Sequence, residues 1–463
     1  MSLNLEPKRV FDIFFEVCKI PRGSGNCEKI ADYCVEFAKS HGLPFKRDSI
    51  NNVIIYKAGE GEPICVQAHL DMVCEKLDDK EIDFLTDPII PVIEGDNIRA
   101  DGTTLGADNG IGLAICLALL EEDIETPLEI LLTADEETGL IGANGLDKSW
   151  ISSRKLINLD SEDEGVITVG CASGATAGIK MPLSLNNTAG EWINLTVSGL
   201  AGGHSGVDIA KGRLNAVKVL FDVISRIGEV QLAEISGGTK DNAIPRKATA
   251  KFLMTGDLSL LDSAISEVVA EAVKTEQVQI EYTKETATIP AATTEDSGKI
   301  VDILNRHPSG VMTMSPDIEG MVESSLNLAI IGMDDGFYAD CMVRSSKNSA
   351  AEDIFNQIYN IAETNGAEAH HYIAFPAWEY RENSRLQAVA EETYFELFGK
   401  KAEVQLIHAG LECGVIGSGI DGLESISIGP ELWDVHTTEE TLSVSSTYRT
   451  WQYVLKMLQN LSK

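Results

Sequence analysis

The chain has 463 residues, 44% hydrophobic and 24% charged, a length beyond what one core serves, so about two or three domains are expected. With 37 Lys plus Arg against 72 Asp plus Glu, the formal net charge is −35. That balance argues against nucleic acid or an anionic membrane surface as partner, since both need a positive footprint.

Two helical stripes open the chain: Val10, Phe11, Phe14, Phe15 and Cys18, then Ile30, Tyr33, Cys34, Phe37 and Ala38. Short apolar runs bounded by Gly and Pro follow at 53–59 and 64–71. A helical run over 111–122 precedes further strands over 128–137, 156–160 and 166–172. Buried strands alternating with helices indicate a layered α/β domain. The pattern changes from about residue 185. Strands at 193–200 and 247–256 with helices near 213–227 and 258–274 read as an α+β unit. Residues 278–287, 326–333, 336–344 and a helix near 350–365 read as a second pass of similar size. After about 380 the α/β pattern resumes with 402–410, 425–429 and a closing helix over 445–461. The reading is an α/β protein whose catalytic domain, three layers around a mixed central sheet, comprises residues 1–184 and 381–463. It is interrupted by an α+β lid, 185–380, whose two passes suggest an internal duplication. Nine cysteines, an odd number without a CxxC pair, sit mostly in apolar runs as reduced core cysteines do. No leader-like segment opens the chain, and no apolar stretch approaches the roughly 20 residues of a membrane span, so a cytoplasmic protein is expected.

Five positions carry candidate chemistry. A buried strand runs into His69 and Asp71, two apart and on one face. They are either a satisfied histidine at a strand end or a metal ligand with a carboxylate behind it. Asp108 lies in the Gly-rich loop DGTTLGADNGIG, either as a helix N-cap or as a carboxylate bridging two metals. Glu136 and Glu137 follow a strand and point to opposite sides, which suits one as ligand and one as general base, or marks a solvated acidic loop. Asp160 ends another strand, as ligand or cap, and His436 stands in the loop ELWDVHTTEE before the last helix.

Strand–HLD, Gly-rich loop–Asp, strand–DEETG, strand–NLD and a late DVHT, in that order across nearly the whole chain, resemble the co-catalytic zinc metallopeptidases, the family of carnosinase and carboxypeptidase G. QAHLDMV, DGTTLGADNGIG, ADEETG, GGHSG, HAGLECG and DVHT bring the resemblance closest to its aminoacyl-histidine (Xaa-His) dipeptidase branch. The resemblance implies two divalent metal ions per chain, Zn²⁺ with Mn²⁺ or Co²⁺ also accepted. His69 and Asp160 would hold one, Glu137 and His436 the other, with Asp108 bridging and the Asp108–Asn109 peptide cis. Asp71 would orient His69, and Glu136 would be the general base acting on a water acidified by the metals. In the lid, His204 would polarise the scissile carbonyl while Asn242 and Arg344 hold the terminal carboxylate. Gly410 would offer a backbone contact, and Glu412 would meet the substrate's amino terminus. The implied activity is hydrolysis of dipeptides with broad specificity, Xaa-His included. A doubled lid implies that His204 serves its own chain, with a homodimer possible. An N-acyl-amino-acid deacylase or desuccinylase, a carboxypeptidase for longer chains and a catalytically dead peptide-binding protein are the alternatives.

Overall fold

The computed structural model describes residues 5–316, 318 and 320–462, which fall into two compact units. The first takes the chain up to Cys171, then Trp378–Ile407 and Leu411 onward. Its eight-stranded sheet runs in the order Phe45–Arg47, Val53–Lys57, Leu128–Thr133, Ile64–His69, Lys155–Asn158, Glu424–Ser427, Val166–Cys171, Glu403–Ile407. The sheet is mixed. Four central strands, Leu128–Thr133 through Glu424–Ser427, are mutually parallel, whereas Val53–Lys57 and Val166–Cys171 pair antiparallel at their flanks. Ile64–His69 and Leu128–Thr133 are buried at every position, the reason these segments read as unbroken apolar runs. Helix Ala107–Leu119 packs on Ile64–His69 and on helix Lys8–Val17, and the closing helix Val444–Leu461 packs on Arg385–Phe398.

The parallel arrangement places the ends of three neighbouring strands at one edge. His69 lies in register with Thr133, and Gln67 with Asn158, so the segments that follow, holding Asp71, Glu136–Glu137 and Asp160, leave the sheet side by side. The crevice outside the carboxyl ends of parallel strands is where open α/β sheets take ligands. A small four-stranded sheet joins Pro91–Glu94, Asn97–Ala100, Thr441–Ser443 and Leu432–Trp433. It fixes both the start of the Gly-rich loop and the hairpin that carries His436.

The second unit takes Ala172–Ala377 and His408–Gly410 around a nine-stranded sheet. Leu185–Ser198, Val230–Gly237, Ala248–Met254 and Gln279–Ala292, numbered one to four, stand in the order four-one-three-two. Ser173–Met181, Val322–Gly332, Phe337–Ser345 and Glu368–Phe375, numbered likewise, stand as two-three-one-four beside them, the two sets meeting at Val230–Gly237 and Val322–Gly332. The first set thus interrupts the second after its opening strand. Gln279–Ala292, read from sequence with the later pass, pairs along its whole length with Leu185–Ser198. Its alternation is that of any half-exposed antiparallel strand, and periodicity does not name a partner. Helices Ala216–Arg226, Leu258–Ala272, Thr294–Arg306 and Asn348–Thr364 bury Val217, Leu220, Phe221, Leu261, Ile300 and Phe355 in this unit's core.

All nine cysteines are free, and eight are buried. Among the described residues no helix is long and apolar enough to cross a membrane.

Candidate metal centre

In the first unit the loops bring two imidazoles and three carboxylates into one cluster. His69, 1% exposed, has its Nε2 at 3.0 Å from Asp108 Oδ1 and 3.3 Å from Asp160 Oδ1. His436 Nε2 lies 3.1 Å from Asp108 Oδ2 and 3.0 Å from Glu137 Oε1. Each oxygen of Asp108 therefore faces a different imidazole. Three groups have ligand atoms mutually within 4.8 Å: His69–Asp108–Asp160, Asp108–Glu137–His436 and His69–Glu136–Glu137. The first two match the expected partition around a shared Asp108; the third brings Glu136 within reach of an ion as well.

Local backbone explains how Asp108 comes to point inward. Gly106, at φ 70°, is the helix N-cap, and a Cβ there would meet Met72 Sδ and Arg22 Nη2 at 2.6 and 2.7 Å. Asp108 and Asn109 depart from helical geometry, and the Asp108–Asn109 peptide is cis, as the resemblance implied. Asn109 Nδ2 donates to Leu159 O at 2.8 Å and to Asp160 Oδ1, tying the two acidic segments together. Asp135, Asp434 and His436 hold positive φ of 54°, 52° and 61° without being glycine, a conformation that gathers at functional sites.

Asp71 is fully buried and accepts the Glu136 amide on Oδ1 at 2.9 Å, the Glu137 amide on Oδ2 at 3.3 Å and Ser24 Oγ at 2.8 Å. Its Oδ1 is 3.4 Å from His69 Nδ1, too long for a good hydrogen bond. Asp71 thus grips the Glu136–Glu137 turn more firmly than the imidazole. Glu412 is fully buried: Oε2 accepts from Gln67 Nε2 at 2.5 Å and Thr133 Oγ1 at 2.7 Å, while Oε1 has no partner among the described residues. Gln67 lies two residues before His69 on the same strand face, a signal that alternation held and the sequence reading passed over.

The electrostatics of this donor set fit a cation. Burial, then the neighbouring carboxylates Asp160, Glu412 and Glu137, raise the Glu136 carboxyl well above its ordinary value, with His69 opposing. Burial likewise raises Glu137 and Asp160, and raises Glu412 to about 7. Burial pulls His69 down, yet Asp160, Asp108 and Asp71 lift it well above an ordinary imidazole; hydrogen bonds to Asp108 and Glu137 lift His436 to about 11. The cluster carries more negative charge than two imidazoles neutralise, and nitrogen and carboxylate donors in this number are those that zinc, manganese or cobalt take.

The second unit holds the other candidates. His204, on the short strand Gly203–His204, accepts the amides of Gly206 and Val207 on Nδ1 at 3.2 and 3.3 Å. Nδ1 is thus the acceptor, and the neutral ring carries its proton on Nε2. Burial and then Arg344 lower its pKa, so the ring is neutral at pH 7. Arg344 is buried, forms no ion pair among the described residues, and its Nε has no acceptor. A Cβ on Gly206 would lie 3.1 Å from His204 Cε1 and 3.2 Å from Arg344 Nε, so this glycine lets the two side chains converge. Asn242 presents its carbonyl to the Ser205 amide at 2.8 Å, beside His204. Gly410 packs on Phe375, whose ring would stand 2.5 Å from a Cβ there. Ser325 and His408, which the sequence reading passed over, bond at 2.7 Å, and burial then Arg344 lower His408 to about 4.

A family model described as Peptidase family M20/M25/M40 matches residues 65–460. The cytosol non-specific dipeptidase of Escherichia coli (strain K12) is 35% identical over 99% of this chain and 98% of its own. The crystal structure of aminoacylhistidine dipeptidase from Vibrio alginolyticus superposes with a TM-score of 0.91 at 33% identity, covering 98% of this chain and 97% of that one. A tripeptidase from Staphylococcus aureus shares the fold at a TM-score of 0.59 and 16% identity, over 99% of both chains. This chain belongs to peptidase family M20/M25/M40.

Proposed function

We propose that the chain is a two-metal dipeptidase of broad specificity that includes Xaa-His dipeptides and works in the cytoplasm. The observation that carries this reading is Asp108, with one oxygen toward His69 and Asp160 and the other toward His436 and Glu137. The dipeptidase names of the Escherichia coli and Vibrio alginolyticus relatives support the substrate class. In this reading His69 and Asp160 would hold one divalent ion and Glu137 and His436 the other, with Asp108 shared between them; zinc is the expected metal. Such ions, when bound, acidify a water and polarise the peptide carbonyl.

The chain's own groups do the rest. Asp71, through the Glu136 and Glu137 amides, fixes the turn on which base and ligand sit. Glu136 takes the proton of the attacking water and returns it to the leaving amine. His204, a neutral Nε2–H donor, stabilises the oxyanion that develops on the carbonyl, a contribution of about 3–4 kcal/mol for one good donor. Arg344, a buried guanidinium that forms no ion pair among the described residues, and Asn242 receive the substrate's terminal carboxylate. Gly410 offers backbone to the substrate, and the free Glu412 Oε1 accepts its ammonium. Arg344 at the carboxylate end and Glu412 at the ammonium end together select short, unblocked peptides.

The test is a hydrolysis panel, with zinc, manganese and cobalt, of free dipeptides, among them Xaa-His and β-alanyl-histidine, against N-acylated amino acids. Hydrolysis of free dipeptides is expected. Preferential hydrolysis of the N-acylated compounds would replace this reading with a deacylase.

A further inference from the structure

Glu440 is a buried carboxylate with no cationic partner among the described residues. It is 2% exposed, and its hydrogen bonds all come from backbone: the amides of Leu105 and Gly106 on Oε2 at 2.7 and 2.9 Å, and those of Ala107 and Asp108 on Oε1 at 2.7 and 3.2 Å. The last two are orphan donors of the first turn of helix Ala107–Leu119, and the first two belong to its N-cap Gly106 and the residue before it. A helix entry is ordinarily capped from its own loop by a side chain that satisfies one or two such amides. Here the cap comes from the other end of the chain, four residues beyond His436, and takes four amides, the last belonging to Asp108.

Arg22 meets the same loop from another side. It too is 2% exposed and forms no ion pair among the described residues; its guanidinium donates to Leu70 O at 3.0 Å, Asp71 O at 2.6 Å and Gly106 O. The left-handed Gly106, whose missing Cβ leaves room for Nη2, is gripped by Glu440 at its amide and by Arg22 at its carbonyl. The segments bearing His69 and Asp71, Asp108, and His436 are therefore joined through backbone, by two charged side chains that touch no candidate ligand atom.

We infer that Glu440 and Arg22 are a positioning pair that holds the ligand constellation formed before metal binds. Burying two charges is justified when every lone pair and proton finds a partner, and the gain is a loop that need not be ordered at the moment of binding. The inference rests on the reading of His69, Asp108, Glu137, Asp160 and His436 as ligands, and the measurements separate the two. Hydrogen exchange by mass spectrometry on the chelated, metal-free chain, reading the peptide that spans 103–110, is expected to find the amides of 105–108 protected. Zinc affinity, measured by chelator competition well below the melting temperature, is expected to fall by about 10–100-fold in Glu440→Gln and in Arg22→Lys, the range of supports lying behind metal ligands. A purely structural residue would lower the melting temperature and leave that affinity alone. Free exchange of these amides in the metal-free chain, or unchanged affinity in both folded variants, overturns the inference. A wild-type chain that binds no zinc overturns the ligand reading itself. The exchange measurement needs no variant, so misfolding of either substitution leaves the inference open to refutation.

Discussion

Glu136 is where the geometry offers two roles, and Glu136→Gln separates them. Its carboxylate stands in a candidate triad with His69 and Glu137, so it is either a third ligand or the base beside the ions. The substitution preserves shape, and the backbone stays put because Asp71 grips the Glu136 and Glu137 amides and not the Glu136 side chain. As base, Glu136 is worth about 10²–10⁴ in rate, or about 3–5 kcal/mol of barrier. Glutamine cannot accept and return a proton, so kcat on a dipeptide falls by that factor while KM and bound zinc stay near wild type. The assay pairs initial rates on metal-replete protein with zinc counted per chain after gel filtration. Retention of kcat within about tenfold of wild type would refute the base. Loss of an ion would make Glu136 a ligand.

Three further outcomes follow from the same geometry. His204→Ala should lower kcat by about 10²–10³ without loss of metal, since it removes one oxyanion donor. Mixing it with inactive Glu136→Gln protein should restore nothing if His204 serves its own chain, and recovered activity would refute that. Arg344→Met should raise KM for free dipeptides far more than for their C-terminal amides; equal effects on both would exclude the carboxylate contact. In the metal-free chain Glu136, Asp160, Glu412, His69 and His436 all bind protons more tightly folded than unfolded. At these groups folding takes up protons, and the stability they contribute falls as pH rises, from about 4.5 where unfolded carboxyls ionise, past about 6.5 for unfolded imidazoles. The decline continues to the folded values, about 7 for Glu412 and about 11 for His436. Because bound zinc takes the place of those protons, the gap in Tm between zinc-loaded and chelated protein should widen between about pH 6 and 8.5, and a constant or narrowing gap would contradict the charge balance.

Much of the centre was legible because central parallel strands are buried on both faces. Each appears as an apolar run that stops abruptly at HLD, ADEE or NLD, and the stops mark the sheet edge where the side chains gather. The closing helix, expected over 445–461, spans Val444–Leu461 for a similar reason: its apolar stripe is long and regular. What escaped were relations made only in three dimensions. Alternation puts Asp71 on the face of His69, yet it accepts from the Ser24 hydroxyl, 47 residues earlier, and from amides 65 and 66 residues onward. Glu440, in TTEE, reads as one more acid of an acidic chain, because four backbone amides leave no trace in side-chain identity. Arg22, between Pro21 and Gly23, reads as a loop cation and is buried against three carbonyls. Residues 173–181 fall by sequence within the segment 1–184, but form a strand that pairs with Phe337–Ser345 and Glu368–Phe375, far along the chain.

The most direct test of the two-metal reading is a titration of zinc back into chelated protein, with dipeptide hydrolysis and bound zinc followed together. The account predicts negligible hydrolysis in the chelated chain, full activity as occupancy reaches two ions per chain, and neither tight zinc binding nor activity in Asp108→Ala, which removes the carboxylate facing both imidazoles. Undiminished hydrolysis by the chelated chain, or by Asp108→Ala at the same zinc concentration, would contradict it.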